Sequence, residues 1–191
     1  MSIDINFRKR AVGKLPTDIG VYVLCDLDEI PIYVGQSTDG IRRRVGRHLT
    51  SARSDIIANR QIDVWEIAYV WAYPTPREEI AALEAQLFHH FDSKSKLMNG
   101  TIPQKAKRGK VPNPFFRVQV MPDEELKNKK DPAQRLPRQA AHYAQIVGHF
   151  LDVKNSRQIA RAMTSHFVRL QKYHDQLLRA ATEAPEGDGD S

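Results

Sequence analysis

The sequence contains a single cysteine, Cys25, and no long run of apolar residues. One thiol cannot form a disulfide within the chain, and it excludes a zinc site built from several cysteines. A helix needs roughly 18 consecutive apolar residues to cross a bilayer, and no segment approaches that length. Residues 1–10 also lack the apolar core of a signal peptide. We therefore expect a reduced, cytoplasmic protein whose 191 residues form one domain, or one domain with an appendage.

Acidic residues are scarce where basic residues cluster. Six arginines and one acid lie between positions 41 and 60, and five basic residues and no acid lie between 101 and 117. Such clustering is typical of a nucleic-acid-binding protein, although a solvated basic surface has the same composition. Segment 182–191 is the opposite, with four acids and no Lys or Arg. We predict that this acidic tail is disordered.

Two segments, 20–24 and 31–35, predict the strands of a hairpin, and a helix at 40–52 follows with Asp39 as its N-cap. Segment 62–73 is rich in Val, Ile, Trp and Tyr, which predicts a further strand. The next helix is predicted at 77–91, with Thr75 and Glu78 forming a capping box. Segment 101–114 contains three prolines and predicts a basic loop, and 115–120 suits one more strand.

This order predicts an α+β fold, a small and mostly antiparallel three-stranded sheet flanked by helices, with a C-terminal helical hairpin. We assign residues 1–121, including the basic loop 101–114, to the main domain. Residues 122–137 are predicted to be a linker and 138–181 the hairpin. Residues at steps of three and four form a mostly apolar stripe in the hairpin: Ile159, Met163, Phe167, Leu170, His174 and Leu177. This stripe can pack on its own chain or against a second copy.

Tyr22 and Tyr33 are symmetric about the middle of the predicted hairpin turn. In an antiparallel pair centred there, the two residues lie opposite each other and their side chains leave the same face. Aromatic pairs of this kind are common structural features. The tyrosine pair therefore does not identify a function by itself.

The helix at 40–52 carries a narrow apolar stripe: Ile41, Val45, Leu49 and Ala52. Arg44 and His48 lie one turn apart on the flank of this stripe, whereas Arg43 and Arg47 point away from it. Arg44 offers several donors to a phosphate, and His48 can position or protonate groups near neutral pH. Arg42, Arg43 and Arg47 are interpreted as contacts to backbone phosphates or as solvated surface.

Glu84 falls within the apolar face of the helix at 77–91. An ionised carboxylate on a buried face is costly unless it is paired, hydrogen-bonded or bound to a metal. A salt bridge to Arg44 or a metal ion would satisfy it. His89 and His90 diverge on a helix and are rejected as a ligand pair, with His89 predicted to face solvent.

The tripeptides Gly20-Val21-Tyr22 and Tyr33-Val34-Gly35, separated by ten residues, resemble the GIY…YIG signature of the GIY-YIG nucleases. Valine replaces isoleucine in both tripeptides, which is a conservative change. Gln36 stands where many members have lysine, so a cation near the leaving group is absent or comes from Lys105 or Lys107. The resemblance spans about residues 19–99.

Further positions extend this resemblance. Arg44 precedes His48 by four residues, as in that family's first helix, and Glu84 matches its metal-binding glutamate. Asn99 matches the later asparagine. The spacing leaves Arg43 and Arg44 open as the family's arginine, and the helical geometry favours Arg44.

The resemblance implies a metal-dependent endonuclease that hydrolyses phosphodiester bonds of DNA. It implies that Glu84 holds one Mg²⁺ ion, with Mn²⁺ as an alternative, and that Tyr22 is the base that activates water. Arg44 would brace the phosphate. Tyr33 and His48 would orient the water or relay its proton, in an order left open. Asn99 would hold the loop that carries the site.

A type II restriction enzyme that cuts duplex DNA is the preferred interpretation, because segment 100–181 has no zinc-ligand spacing and no convincing helix-turn-helix. The basic loop follows Asn99 directly and could enter a DNA groove, and the hairpin could join two copies into a homodimer. The predicted DNA contacts are Gln36, Arg42, Arg43, Arg47, Lys105, Lys107, Arg108 and Lys110. Alternatives are a structure-specific or single-strand nuclease of repair or mobile elements, a ribonuclease, and a non-catalytic nucleic-acid-binding module.

Overall fold

Four strands form one antiparallel sheet in a computed structural model that describes residues 5–50, 54–104 and 109–183. They are β1 (Gly20–Cys25), β2 (Pro31–Ser37), β3 (Tyr69–Pro74) and β4 (Phe116–Gln119), in the order β2-β1-β3-β4. The predicted α+β class with an antiparallel sheet is confirmed. The predicted number of three strands is wrong, because β4 pairs with β3 as a fourth strand.

Seven helices and one 3₁₀ turn, Val64–Glu66, accompany the sheet in the described ranges. The helices are α1 (Ile5–Val12), α2 (Ile41–Thr50), α3 (Asp55–Ala58), α4 (Ile80–Asp92), α5 (Asp123–Lys130), α6 (Pro132–Asp152) and α7 (Arg157–Glu183). None of the helices described here is long and apolar enough to cross a membrane.

The sheet is covered on both faces, as the alternation of side chains along β1 shows. Tyr22 and Leu24 join the apolar cluster that includes α1 and α2, whereas Val21 and Val23 join the cluster that includes α4. All six residues of β1 are consequently buried. Strand β2 lies at the edge of the sheet, where elements from both faces meet.

The register of the first hairpin differs from the prediction by two residues. Tyr22 lies opposite Gly35, and Tyr33 lies opposite Leu24. The turn is centred one residue later than predicted, because the Asp26 amide donates to the carbonyl of Ile30 and a shift in register follows Leu24. A shift of two residues keeps every side chain on its face. The two tyrosines therefore still share one face of the sheet.

The start of α4 also differs from the prediction. The N-cap residue is Glu79, without a side-chain hydrogen bond to the helix, and the Thr75 hydroxyl instead donates to the carbonyl of Tyr73. The predicted capping box is therefore wrong. Likewise, only the end of segment 62–73 is a strand, because Asp63 caps the 3₁₀ turn ahead of it through the Trp65 amide.

Segment 122–137, predicted to be a linker, is mostly helical. It contains α5 and the start of α6, which begins at Pro132 and has Asp131 as its N-cap. Helices α6 and α7 pack against each other, as in the ring contact between Tyr143 and Phe167. Helix α7 continues to Glu183, so residues 182 and 183 of the predicted disordered tail are helical. The rest of that tail lies outside the described residues.

Buried ion pairs join α6 and α7 to the sheet. Arg135 of α6 donates to a carboxylate oxygen of Glu66 from Nε, at 2.9 Å, and from a second nitrogen. Arg169 of α7 donates to Asp26 at 2.7 Å. All four side chains are at most 5 % exposed. The two helices therefore complete the core by contributing cations to carboxylates that would otherwise be buried alone.

Candidate active site

A polar cavity of about 300 Å³ lies beside the edge strand β2. Its walls come from both faces of the sheet and from α7: Tyr33, Ile56, Asn59, Gln61, Glu84, Phe88, Asn99, Gly100, Thr101, Pro103 and Gln158. Three residues predicted for the active site, Tyr33, Glu84 and Asn99, are among them. Because β2 is the edge strand of the sheet, the chain after α4 can run beside it, and the Met98 amide donates to the carbonyl of Ile32 at 2.7 Å.

Tyr22 and His48 form a buried hydrogen-bonded pair that packs against Tyr33 of the cavity wall. The Tyr22 hydroxyl lies 2.7 Å from Nε2 of His48, and both residues are 1 % exposed. The other ring nitrogen of His48, Nδ1, lies 2.6 Å from the hydroxyl of Ser54, which is fully buried. A continuous chain of exchangeable protons therefore runs from Tyr22 through the imidazole to Ser54.

Tyr33 packs against both rings of this pair and also lines the cavity. It is half-buried, and its ring centroid lies 6.3 Å from those of Tyr22 and His48. The close packing depends on Gly35, since a Cβ atom there would lie 2.8 Å from Cε1 of Tyr33 and 2.5 Å from Cζ of Tyr22. Because Gly35 has no side chain, the ring of Tyr22 can occupy the space next to it on the neighbouring strand.

Glu84 brings a half-buried carboxylate to the cavity from α4. Burial raises the pKa of this carboxyl above its usual value by desolvation. Across residues 5–50, 54–104 and 109–183, Glu84 has no hydrogen bond or ion pair, so the alternative of a salt bridge to Arg44 is not observed. A desolvated carboxylate that faces a polar cavity suits a hard divalent cation. In the same ranges no group of three His, Cys, Asp or Glu residues could hold a metal ion.

Asn99 is nine-tenths buried and is bonded to the edge strand. Its Oδ1 accepts from the amide of Val34 at 3.0 Å, and its Nδ2 donates to the carbonyl of the same residue at 2.6 Å. The side-chain amide therefore extends the sheet by one pairing. On its other side, the carbonyl of Asn99 accepts from Nε of Arg161 at 2.9 Å. Asn99 fixes the position of segment 99–103 relative to β2.

The arginines of α2 differ in their surroundings. Arg44 is half-buried, whereas Arg43 is exposed and forms a 3.7 Å ion pair with Asp39. Arg42 is exposed, and its Nε donates to the carbonyl of Leu15 at 2.7 Å. Arg47 is half-buried. Of the two candidates for the family's arginine, Arg44 is the less exposed.

The other predicted DNA contacts are only partly described. Gln36 and Lys110 are exposed, and Gln86 donates to the carbonyl of Lys110. Lys105, Lys107 and Arg108 lie outside the described residues. The prediction that His89 faces solvent is wrong, because its ring is half-buried and bonds to the carbonyl of Pro103 at 2.9 Å.

Sequence reasoning missed Ser54 and the polar cavity walls Asn59, Gln61 and Gln158. Ser54 follows α2 by a short segment and belongs to no motif. Gln158 reaches the cavity from α7, far away in sequence from β2. Only tertiary contacts single out these residues, and no local pattern marks them.

Comparison with known family models gives a match. Residues 18–99 match the model of the GIY-YIG catalytic domain. This range contains every residue predicted for the active site, from Tyr22 to Asn99. No curated protein and no solved structure matches the chain. The match covers 82 of the 191 residues and supports membership of the GIY-YIG nuclease superfamily, whose enzymes generally depend on a divalent metal ion.

Proposed function

We propose that this protein is a metal-dependent DNA endonuclease whose active site lies in the cavity beside β2. The observation that carries the proposal is Glu84, a desolvated carboxylate that faces the cavity without a cationic partner among the described residues. The cost of keeping such a charge is offset if a metal ion binds there. The six residues that match the family's site positions are all present, which favours an enzyme over a non-catalytic binding module: Tyr22, Tyr33, Arg44, His48, Glu84 and Asn99.

The metal ion that fits is Mg²⁺, with Mn²⁺ as an alternative. Oxygen ligation by one carboxylate, with water and phosphate completing the shell, is typical of these ions and not of zinc. A divalent cation at Glu84 would supply positive charge that offsets the negative charge developing on the scissile phosphate. Arg44 would brace the same phosphate through its guanidinium donors.

The remaining residues would activate and position water. Tyr22 is proposed as the base, because its hydroxyl lies 2.7 Å from an imidazole nitrogen that can take its proton. Tyr33, which lines the cavity, would orient the attacking water. His48 would relay the proton away from Tyr22. Asn99 is assigned to positioning, since both ends of its amide are bonded to Val34.

A restriction-type enzyme that cuts duplex DNA as a homodimer is the specific form of this proposal. Part of the predicted stripe on α7 is available for a partner, because Phe167 is 48 % exposed and lines an apolar groove of about 640 Å³ with Leu136, Ala140 and Leu170. Ile159, at the start of the stripe, is instead buried within the chain. Two copies joined there would cut both strands.

Purified protein incubated with phage DNA and Mg²⁺ tests the proposal. We expect discrete fragments, which disappear in Glu84→Ala and fall by about a hundredfold or more in Tyr22→Phe. Calorimetric titration with Mn²⁺ should detect binding to the native protein and none to Glu84→Ala. Full cleavage by Glu84→Ala would rule out the mechanism. Cleavage restricted to forked or single-stranded DNA would rule out the restriction enzyme and identify a structure-specific nuclease.

A further inference from the structure

Ser54 has an unusual position for a buried serine. Its backbone carbonyl accepts from the amides of Ile57 and Ala58, so the residue stands at the N-cap of α3. A serine hydroxyl at an N-cap ordinarily bonds to the helix amides. Here the hydroxyl instead lies 2.6 Å from Nδ1 of His48, in a fully buried position. The Ser54 hydroxyl therefore contacts the histidine in place of the helix amides.

His48 is consequently held at both ring nitrogens. Nε2 lies 2.7 Å from the Tyr22 hydroxyl and Nδ1 lies 2.6 Å from the Ser54 hydroxyl, with the ring 1 % exposed. A neutral imidazole has one N–H donor and one acceptor, so the proton on one nitrogen decides what the other can do. Both hydroxyls can donate or accept. The tautomer of His48 therefore corresponds to which of the two hydroxyls donates to the ring and which accepts from it.

We propose that Ser54 is a positioning residue that holds His48 with its proton on Nδ1, so that Nε2 is the acceptor for the proton of the Tyr22 hydroxyl. This inference rests on the proposed function, in which Tyr22 removes a proton from the attacking water. In the opposite tautomer Nε2 would donate to the Tyr22 oxygen and could accept no proton from it. Only the Nδ1–H form allows His48 to relay a proton.

The proton balance is simple. The attacking water gives one proton to the Tyr22 oxygen while the original hydroxyl proton of Tyr22 passes to Nε2 of His48. The hydroxide forms the new bond to phosphorus and the bond to the 3′ oxygen breaks, after which that oxygen takes a proton from solvent. His48 is then an imidazolium with N–H donors at both nitrogens. The Ser54 oxygen accepts from Nδ1 before and after the transfer, so it does not need to reorient.

Ser54→Ala removes this acceptor, and Ser165→Ala is its matched control. Ser165 is equally buried, at 1 % exposure, and its hydroxyl donates to the carbonyl of Leu97 outside the tyrosine–histidine pair. Both variants lose one buried hydroxyl, so comparable losses of thermal stability are expected. Only Ser54→Ala should change His48. Ser54→Thr keeps a hydroxyl and should retain the native protonation pattern.

The direct measurement is ¹⁵N NMR of histidine-labelled full-length protein without DNA or metal, with His48 assigned from a His48→Gln sample. We expect a protonated Nδ1 and an unprotonated Nε2 in the native protein and in Ser165→Ala, and a gain of the Nε2–H form in Ser54→Ala. A native Nε2–H tautomer would overturn the proposal. An unchanged tautomer in Ser54→Ala would overturn it as well.

Cleavage kinetics provide the second readout. In Ser54→Ala kcat should fall by about 10–100-fold, the range for losing a group that orients a functional histidine, while KM stays close to its native value. Ser54→Thr should recover most of kcat. A change confined to KM would contradict the positioning role. Because the NMR measurement needs no activity, a native protein with the expected tautomer that cuts no DNA would refute the nuclease proposal and leave the assignment of Ser54 intact.

Discussion

The candidate site contains a residue that destabilises the metal-free fold, namely Glu84. Its pKa is raised because burial desolvates the carboxyl, so the ionised form is less favourable in the folded chain than in the unfolded chain. Folding at neutral pH therefore works against this charge. The same feature makes the carboxylate available to a cation.

Glu84→Gln should for this reason raise the melting temperature in EDTA while reducing cleavage by about 10³-fold. The neutral amide has nearly the same shape and removes the desolvated charge. Differential scanning calorimetry and a plasmid cleavage assay measure the two effects. Glu78→Gln, at an exposed position just before α4, serves as the control and should alter neither quantity. A lower melting temperature for Glu84→Gln would show that the carboxylate stabilises the metal-free fold.

Gly35 acts through the space that it leaves. An added Cβ atom would lie 2.5 Å from Cζ of Tyr22, so the ring would have to move away from His48. We expect Gly35→Ala to lose about 1–3 kcal/mol of unfolding free energy, as is typical for overpacking, and nearly all cleavage activity. Urea unfolding and DNA cleavage measure these changes.

Gly148 supplies the matched control for that substitution. It lies within α6, and a Cβ atom there would meet nothing within 4 Å. Gly148→Ala should therefore raise the stability by about 0.5–1 kcal/mol, because alanine is favoured in helices, and leave cleavage unchanged. Native activity in Gly35→Ala would mean that the site does not need the close packing of Tyr22.

At the scale of elements, two buried histidines join α6 and α7 to the carbonyls of residues 60 and 61, at the border of the cavity. His142 lies 3.2 Å from the carbonyl of Arg60 and His166 lies 2.9 Å from that of Gln61. Burial, and then the neighbouring His142, lowers the pKa of His166 to about 3. The ring stays neutral and donates to the carbonyl throughout the physiological range.

This lowered pKa predicts the dependence of stability on pH. Below the ordinary histidine pKa of 6.5, His166 is protonated in the unfolded chain. In the folded chain it stays neutral until the pH reaches about 3. The unfolded state then binds more protons than the folded state, so the free energy of unfolding falls as the pH drops from 6.5 toward 3. Above pH 6.5 the contribution of neutral His166 to stability is fully present. Urea unfolding at several pH values should show a shallower decline in His166→Gln, whose amide can still donate. His174→Gln, exposed on the same helix, should retain the native decline. Identical slopes in the native protein and His166→Gln would contradict the prediction.

At the scale of the whole molecule, two separate sets of charged contacts join α6 and α7 to the rest of the chain. Glu66 bonds to Arg135 and Arg138 of α6 and accepts from the Tyr173 hydroxyl of α7. Next to the cavity, Arg161 of α7 joins the carbonyl of Asn99 to the carboxylate of Asp92. The helices therefore hold both the core and the segment that borders the site.

Arg135→Met should cost about 3–5 kcal/mol of unfolding free energy, because it removes the more buried of the two cations that pair with Glu66 and leaves that carboxylate with Arg138 alone. Adding Glu66→Leu should recover much of that loss, since the buried carboxylate is gone. Lys96→Met breaks an ion pair with Asp92 in which the lysine side chain is 55 % exposed, and should change stability by less than about 1 kcal/mol. Urea unfolding of the three variants tests this order, and a mild effect of Arg135→Met would mean that the helices are not needed by the core.

Local periodicity was enough to place the motif residues of this protein on the correct faces. The period of two along β1 and β2 put both tyrosines on one face, and the helical period distinguished Arg44 and His48 from Arg43. Glu84 stood out because a carboxylate on an apolar helical face needs a partner. These properties depend on the backbone within a few residues and can therefore be determined from the sequence alone.

Tertiary structure decided the partners. The pairing of Tyr22 with Gly35 depends on where the hairpin turn closes. The alternation of side chains along the two strands does not reveal a shift of one residue in that turn. The hydrogen bond of Ser54 to His48 and the ion pair of Arg135 with Glu66 join segments that no motif connects. A pattern shows which face of an element is buried, and only the packed molecule determines what it is buried against.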